Sequence, residues 1–204
     1  NGDPMGTLEA VKSTRDEYSA KWTHVGDEIT VQTTLAFANA DQDSMYEGTD
    51  YVNNDKTYFA DVKISQALGD DHFLTYGVDM KKEMMRAEST QFAPTPTSNG
   101  HDDFDYSAYG LYLQDTWNIT KKLELNLALR LSKILTNFKG QFAEKNEIDE
   151  TVLLPRMHLR YNHDAFVTSR LSAGQGYRSP LTFFESEHGL IGPNGFAVSV
   201  DEIE

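Results

Sequence analysis

The chain is written in a two-residue rhythm. From Leu123 to Leu131 every odd position is leucine, while Glu124, Asn126, Ala128 and Arg130 fill the even ones. Successive side chains of a strand point to opposite faces, so this segment presents one leucine face and one largely polar face. At helical spacing the same leucines would scatter around the axis. The rhythm recurs: Ile29, Val31, Thr33, Leu35 and Phe37 alternate with Thr30, Gln32, Thr34 and Ala36. Leu74, Tyr76, Val78 and Met80 alternate with Thr75, Gly77 and Asp79. Tyr109, Leu111 and Leu113 alternate with Gly110, Tyr112 and Gln114, and Leu153, Met157 and Leu159 with Arg156, His158 and Arg160. Eight strands are predicted, near 12–23, 28–38, 56–66, 72–84, 106–118, 122–135, 152–162 and 165–176.

The connections carry a second pattern. Segments 24–27, 67–71, 119–121 and 163–164 are short, and Gly26-Asp27, Gly69-Asp70-Asp71 and Asn162-His163-Asp164 are good turn chemistry. Segments 39–55, 85–105 and 136–151 are long and alternate with the short ones. Tight turns at one end and long loops at the other predict an all-β, antiparallel, up-and-down transmembrane barrel, with the short turns periplasmic. Trp22 and Trp117 lie one or two residues before short turns, where interfacial rings sit among lipid headgroups. Arg130, Arg156, His158, Arg160 and Arg170 would share the polar face with Glu124 and Lys63. A packed core does not accept so many charges, because unpaired burial is costly. A wet or plugged lumen does.

Composition sharpens this picture. No apolar run reaches the ~20 residues of a membrane helix, but barrel strands span with about 9–11 residues of alternating polarity. The formal net charge of −14 weighs against nucleic acid as a partner, since binding it requires a basic face. The chain has no cysteine, which excludes disulfides and thiolate metal sites. Asp41, Asp43, Glu47, Asp50 and Asp55 load the connection 39–55, which has no Lys or Arg, and Glu185, Glu187, Asp201, Glu202 and Glu204 load the last segment. No Gly-x-Ser-x-Gly, His-Glu-x-x-His or phosphate-loop motif occurs, so no catalytic residue and no cofactor is assigned.

Two phrases carry a family resemblance. Residues 109–131 run from Tyr109-Gly110-Leu111-Tyr112-Leu113 through Gln114-Asp115-Thr116-Trp117 into the alternating leucines and Ala128-Leu129-Arg130. Pro155-Arg156 follows, then Ser169-Arg170-Leu171-Ser172-Ala173-Gly174-Gln175-Gly176-Tyr177-Arg178-Ser179-Pro180 and Phe184-Glu185. In this order the phrases resemble the barrel of TonB-dependent outer-membrane receptors, firmly over about residues 106–188. The resemblance implies that residues 1–204 are part of a barrel of about 22 strands, with a plug domain and C-terminal strands lying outside this chain. It also implies energised uptake of a scarce nutrient across a Gram-negative outer membrane. The nutrient would be a siderophore or other metal chelate, cobalamin, haem or an oligosaccharide. TonB would act through the plug, and outer-membrane lipid and lipopolysaccharide would surround the barrel.

Candidate ligand contacts are residues of the expected outer loops and barrel mouth: His101, Asp102, Asp103, Tyr177, Arg178, Glu185, Glu187 and His188. Carboxylates and imidazoles together suit a metal or a metal-bearing ligand, but no spacing here is diagnostic, so no metal site is assigned. The plainer reading makes the acidic groups solvated loops, and makes Arg178 and rigid Pro180 holders of a strand end. Two alternatives to the receptor remain at this point. One is a small closed barrel of eight strands with an adhesive or structural role, which needs its first and last strands to pair. The other is an outer-membrane hydrolase using His101, Asp102 and Asp103.

Overall fold

The computed structural model describes residues 9–46, 49–89, 103–139 and 147–177. These form β1 (Glu9–Val25), β2 (Ile29–Tyr46), β3 (Thr49–Leu68), β4 (His72–Ser89), β5 (Phe104–Asn118), β6 (Leu123–Phe138), β7 (Glu147–Asn162) and β8 (Thr168–Gly174). Every neighbouring pair is antiparallel, and the strands lie in one sheet in chain order. Among the described residues there is no helix. The sheet is open there, with β1 and β8 as its two outer strands, whereas a small closed barrel would require them to pair.

The short turns are built as their residues dictate. Gly69 has φ of 66°, in the left-handed region that side chains disfavour. Asp164 Oδ1 accepts from the N–H groups of Phe166 (2.8 Å) and Val167 (2.9 Å), and Thr120 Oγ1 accepts from Lys122 and Leu123. The Asp164 turn holds the chain through Val167, so β8 begins at Thr168 rather than at 165.

The register sorts every side chain onto one of two faces. Leu113 pairs with Leu129, which pairs with Pro155; Leu111, Leu131 and Leu153 form the next row. On this face Leu111, Leu113, Leu127, Leu129, Leu131, Leu153 and Leu171 are 44–58% exposed, a contiguous apolar surface that a water-soluble protein does not carry. The opposite face holds Asp61, Asp79, Tyr112, Arg130, Arg156 and Arg160. Among the described residues it also holds every buried one, including Ser44, Tyr51, Glu83, Phe104, Ile134 and Ile148. A single layer hides side chains on one face only by curling toward it. The polar face is therefore concave and the leucine face convex.

The convex face has distinct upper and lower limits. Stacked rings mark the short-turn end: Trp22 on His24, His72 on Trp117, and the edge-on pair Tyr161–His163. Both tryptophans are exposed there, as interfacial rings are in outer-membrane barrels. Asp115 shares this face, and its Oδ2 lies 2.8 Å from His72 Nδ1, so the carboxylate at the lower edge has a partner. At the other end Tyr18, Phe37 and Tyr58 pack in a row across three strands. On β6 the unbroken run of leucines on this face stops at Leu131, where Lys133, paired with Asp149, interrupts it before Leu135. The apolar stretch Leu123–Leu131 is nine residues, close to the about 9–11 that a tilted strand needs to cross a bilayer.

One expectation is corrected. Segment 39–55 is not a long loop: the β2–β3 ladder continues to Tyr46↔Thr49. Asn54 Nδ2 donates to Asn39 Oδ1 (2.9 Å) and Asp41 Oδ1 (2.7 Å), while Gln42 donates to Ser44 (2.7 Å). Beyond the bilayer neither face is held to an apolar composition, so the alternation that marks a strand disappears while the pairing persists. The same holds for β4, which runs to Ser89, and for β7, which starts at Glu147.

Candidate functional site

The concave face is organised around two glycines. Gly77 on β4 sits opposite Tyr112, and Gly110 on β5 sits beside Asp79. Tyr112 reaches over the Gly77 position and donates from its hydroxyl to Asp61 Oδ1 on β3 at 2.9 Å. A Cβ on Gly77 would fall 2.8 Å from the Tyr112 ring. Arg130 on β6 reaches over Gly110 and grips Asp79 with both terminal nitrogens, at 2.5 and 2.8 Å, while its Nε donates to Ser132 Oγ at 2.8 Å. Each long side chain thus spans two strand spacings because the residue between has no side chain. A mid-strand glycine often marks such a close approach.

Above this lattice lie groups that a ligand could meet. Lys81 pairs with Glu83 at 2.5 Å, and its Nζ stands 5.7 Å from the centre of the Tyr106 ring. Glu83 is almost enclosed, with a side chain 10% exposed, so the pair fixes a cation against an aromatic face. Phe104, Phe138 and Ile148 cluster next to them, with Met85 and Tyr106 against the cluster. Tyr177, past the end of β8, is exposed.

The rim has its own lattice, above the apolar stripe. Asp105 takes Arg86 on one oxygen and Lys139 on the other, both at 2.5 Å. Arg86 also donates to the carbonyls of Met85 (2.7 Å) and Phe104 (2.9 Å). Burial raises the Asp105 pKa, but the bonds and charges of Lys139 and Arg86 outweigh it and hold the carboxyl below its ordinary 3.8. A carboxyl with a depressed folded-state pKa stabilises fully above its unfolded value and loses that stability as pH falls through the folded one. Asp105→Asn is therefore expected to melt earlier than wild type at pH 7. The gap is expected to close as pH is lowered from 3.8, which a series of thermal melts would check.

Of the residues picked from sequence, Asp103 and Tyr177 are described. Asp103 stands with the rim lattice, and its Oδ1 accepts from the Ala87 N–H at 2.6 Å, tying the ends of β4 and β5. His101, Asp102, Arg178, Glu185, Glu187 and His188 lie outside the described residues. Asp41, one of the acidic residues of segment 39–55, accepts on its two oxygens from Asn39 and Asn54. A groove of about 630 Å³ on the convex side is lined by Leu113, Asp115, Leu127, Leu129, Pro155 and Met157, and belongs to the apolar surface rather than to the concave chemistry.

Comparison with known proteins agrees with this geometry. The fold resembles the alcaligin outer-membrane receptor FauA of Bordetella pertussis, with a TM-score of 0.68 at 16% identity over 80% of this chain and 29% of that one. The ferric-catecholate import receptor Fiu of E. coli K12 in its open form gives 0.64 at 13% identity, over 83% and 36%. The copper transporter OprC gives 0.63 at 16%, over 78% and 29%. The chain thus spans about a third of the length of these structures. A search of curated protein sequences finds no match. The family described as TonB dependent receptor-like, beta-barrel matches residues 5–198, and the chain belongs to that family.

Proposed function

We propose that this chain is wall of an outer-membrane receptor that takes up a scarce nutrient by active transport powered through TonB. The observation that carries the reading is the division of one sheet into a bilayer-wide apolar face and a concave face of paired charges. The convex face suits lipid and, above the upper aromatic row, lipopolysaccharide. The concave face suits a solute, which would meet Tyr106, Lys81 and Tyr177 first. No step of this reading makes or breaks a covalent bond, so the ligand passes unchanged. The similar structures are receptors or transporters for alcaligin, a ferric catecholate and copper. These favour a metal or metal chelate here over cobalamin, haem or an oligosaccharide.

Cells whose only receptor of this kind is the full-length protein provide the test. Accumulation of labelled ferric chelates, copper, cobalamin, haem and oligosaccharides is measured with and without TonB. One ligand class is expected to accumulate, only with TonB, and more slowly when Lys81→Ala and Tyr106→Ala are combined. Entry of every solute in proportion to its size, with or without TonB, would show an open pore instead.

A further inference from the structure

The groove on the convex face runs along two neighbouring rows of the ladder. Leu113, Leu129 and Pro155 form one; Asp115, Leu127 and Met157 form the other, which continues to Ala173 on β8. Pro155 and Ala173 are short side chains among leucines and a methionine, and the space lies over them. Asp115 is the first same-face position above Trp117 at the aromatic edge, whereas Met157 is the second above Tyr161 and Pro155 the third. The groove therefore starts beside the headgroup layer on β5 and climbs into the hydrocarbon zone toward β8. Strands about 4.8 Å apart make its length about 14 Å, close to one leaflet of a ~30 Å hydrocarbon core. β5, β6 and β7 each lie between two described strands, so most of the groove lies inside the sheet rather than at its edge.

A charged pair stands at the lower end. Asp115 has apolar same-face neighbours, Leu74 and Leu127 across the ladder and Leu113 and Trp117 along β5. A carboxylate on a lipid-facing wall is costly unless something answers it. His72 Nδ1 answers Oδ2 at 2.8 Å, but the buried Oδ1 has no hydrogen-bond partner in the described chain. The His72 ring lies flat against Trp117, with centroids 5.3 Å apart and planes at 16°. Its Nε2, on the far side of the ring, makes no bond to the described chain. The side chains of His72 and Asp115 are 36% and 28% exposed, so both can be reached from the lipid side. We propose that this groove holds one aminophospholipid of the periplasmic leaflet, with an acyl chain along the groove, the phosphate on His72 Nε2 and the primary ammonium on Asp115. Phosphate and carboxylate both accept, so the bound imidazole donates from both nitrogens. A headgroup with one charge of each sign matches a pair with one of each sign. The inference rests on the convex face meeting lipid, and not on the nutrient carried.

The test uses the purified full-length protein, stripped of lipid in detergent, and native mass spectrometry. The probes are phosphatidylethanolamine, phosphatidylglycerol and diacylglycerol with the same acyl chains. One phosphatidylethanolamine is expected to bind about tenfold or more tightly than diacylglycerol, through its charge-assisted bonds, and more tightly than phosphatidylglycerol. Ala173→Phe, which fills the groove from the lipid side, is expected to weaken binding of all three. Asp115→Asn is expected to abolish the preference for phosphatidylethanolamine over phosphatidylglycerol. Both variants are checked for the folded barrel by their mobility on unheated gels, and the comparison of the three lipids on the wild type stands without them. Equal binding of the three lipids, tighter binding of phosphatidylglycerol, or binding that a folded Ala173→Phe leaves unchanged overturns the site.

Discussion

Leu129→Arg is expected to destabilise the membrane-inserted protein by about 2–4 kcal/mol, the cost of a cation facing lipid near mid-bilayer. Leu129 is 46% exposed on the convex face, between Leu113 and Pro155 in register and between Leu127 and Leu131 along β6. None of these neighbours offers a carboxylate or a path to water. Gln114→Arg lies one position along the adjacent strand from Leu113 but on the concave face, opposite Ala128. There the added cation meets the lumen, and a change within about 0.5 kcal/mol is expected. Urea unfolding of both variants in liposomes gives the comparison. Equal losses would show that the two faces do not differ in solvent.

The second large effect concerns a residue with no side chain. Gly110→Val is expected to disconnect Arg130 from Asp79, because even a Cβ there would overlap the guanidinium and lie 2.7 Å from Asp79 Oδ2. Asp79 is 11% exposed and would be left charged without its bidentate partner. The expected cost is about 1–3 kcal/mol for the orphaned group, with strain from the valine added to it. Gly176→Val is the control, since nothing lies within 4 Å of a Cβ at that position. Once Asp79→Asn is present, Arg130→Met should cost little more, because both changes break one contact. Denaturant melts that place Gly110→Val level with Gly176→Val would contradict the glycine slot.

How far the sequence could be read depended on what each stretch faces. Where a strand crosses the bilayer, one face must be apolar, and the leucines of β6 announced both the strand and its orientation. Past Phe37 on β2 neither face is held to an apolar composition, so Asn39, Asp41 and Asn54 looked like loop although they form a ladder. The turn after β7 was read two residues long because the capping by Asp164 of Phe166 and Val167 leaves no compositional mark. Arg130 and Lys63 were placed on the correct face by parity alone. Their neighbours were not, since the partners Asp79 and Asp61 lie 51 residues from Arg130 and Tyr112 in sequence. The signal that was available is Gly77 and Gly110, each at a polar-face position in mid-strand. His101, Asp102 and Glu185, expected at the mouth, lie outside the described residues, and Lys81, Glu83 and Tyr106 were not picked from the sequence because a cation held by a carboxylate over a ring is made by pairing between strands.

The most direct test of the two-faced wall is a nitroxide scan of residues 123–132 in the full-length protein in lipid vesicles. Accessibility to oxygen, which concentrates in the bilayer, is compared at each position with accessibility to a water-soluble nickel complex. Oxygen contact should peak at Leu125, Leu127, Leu129 and Leu131, and nickel contact at Asn126, Ala128 and Arg130, with a period of two. Equal nickel contact at both sets of positions would contradict a wall that separates lipid from lumen.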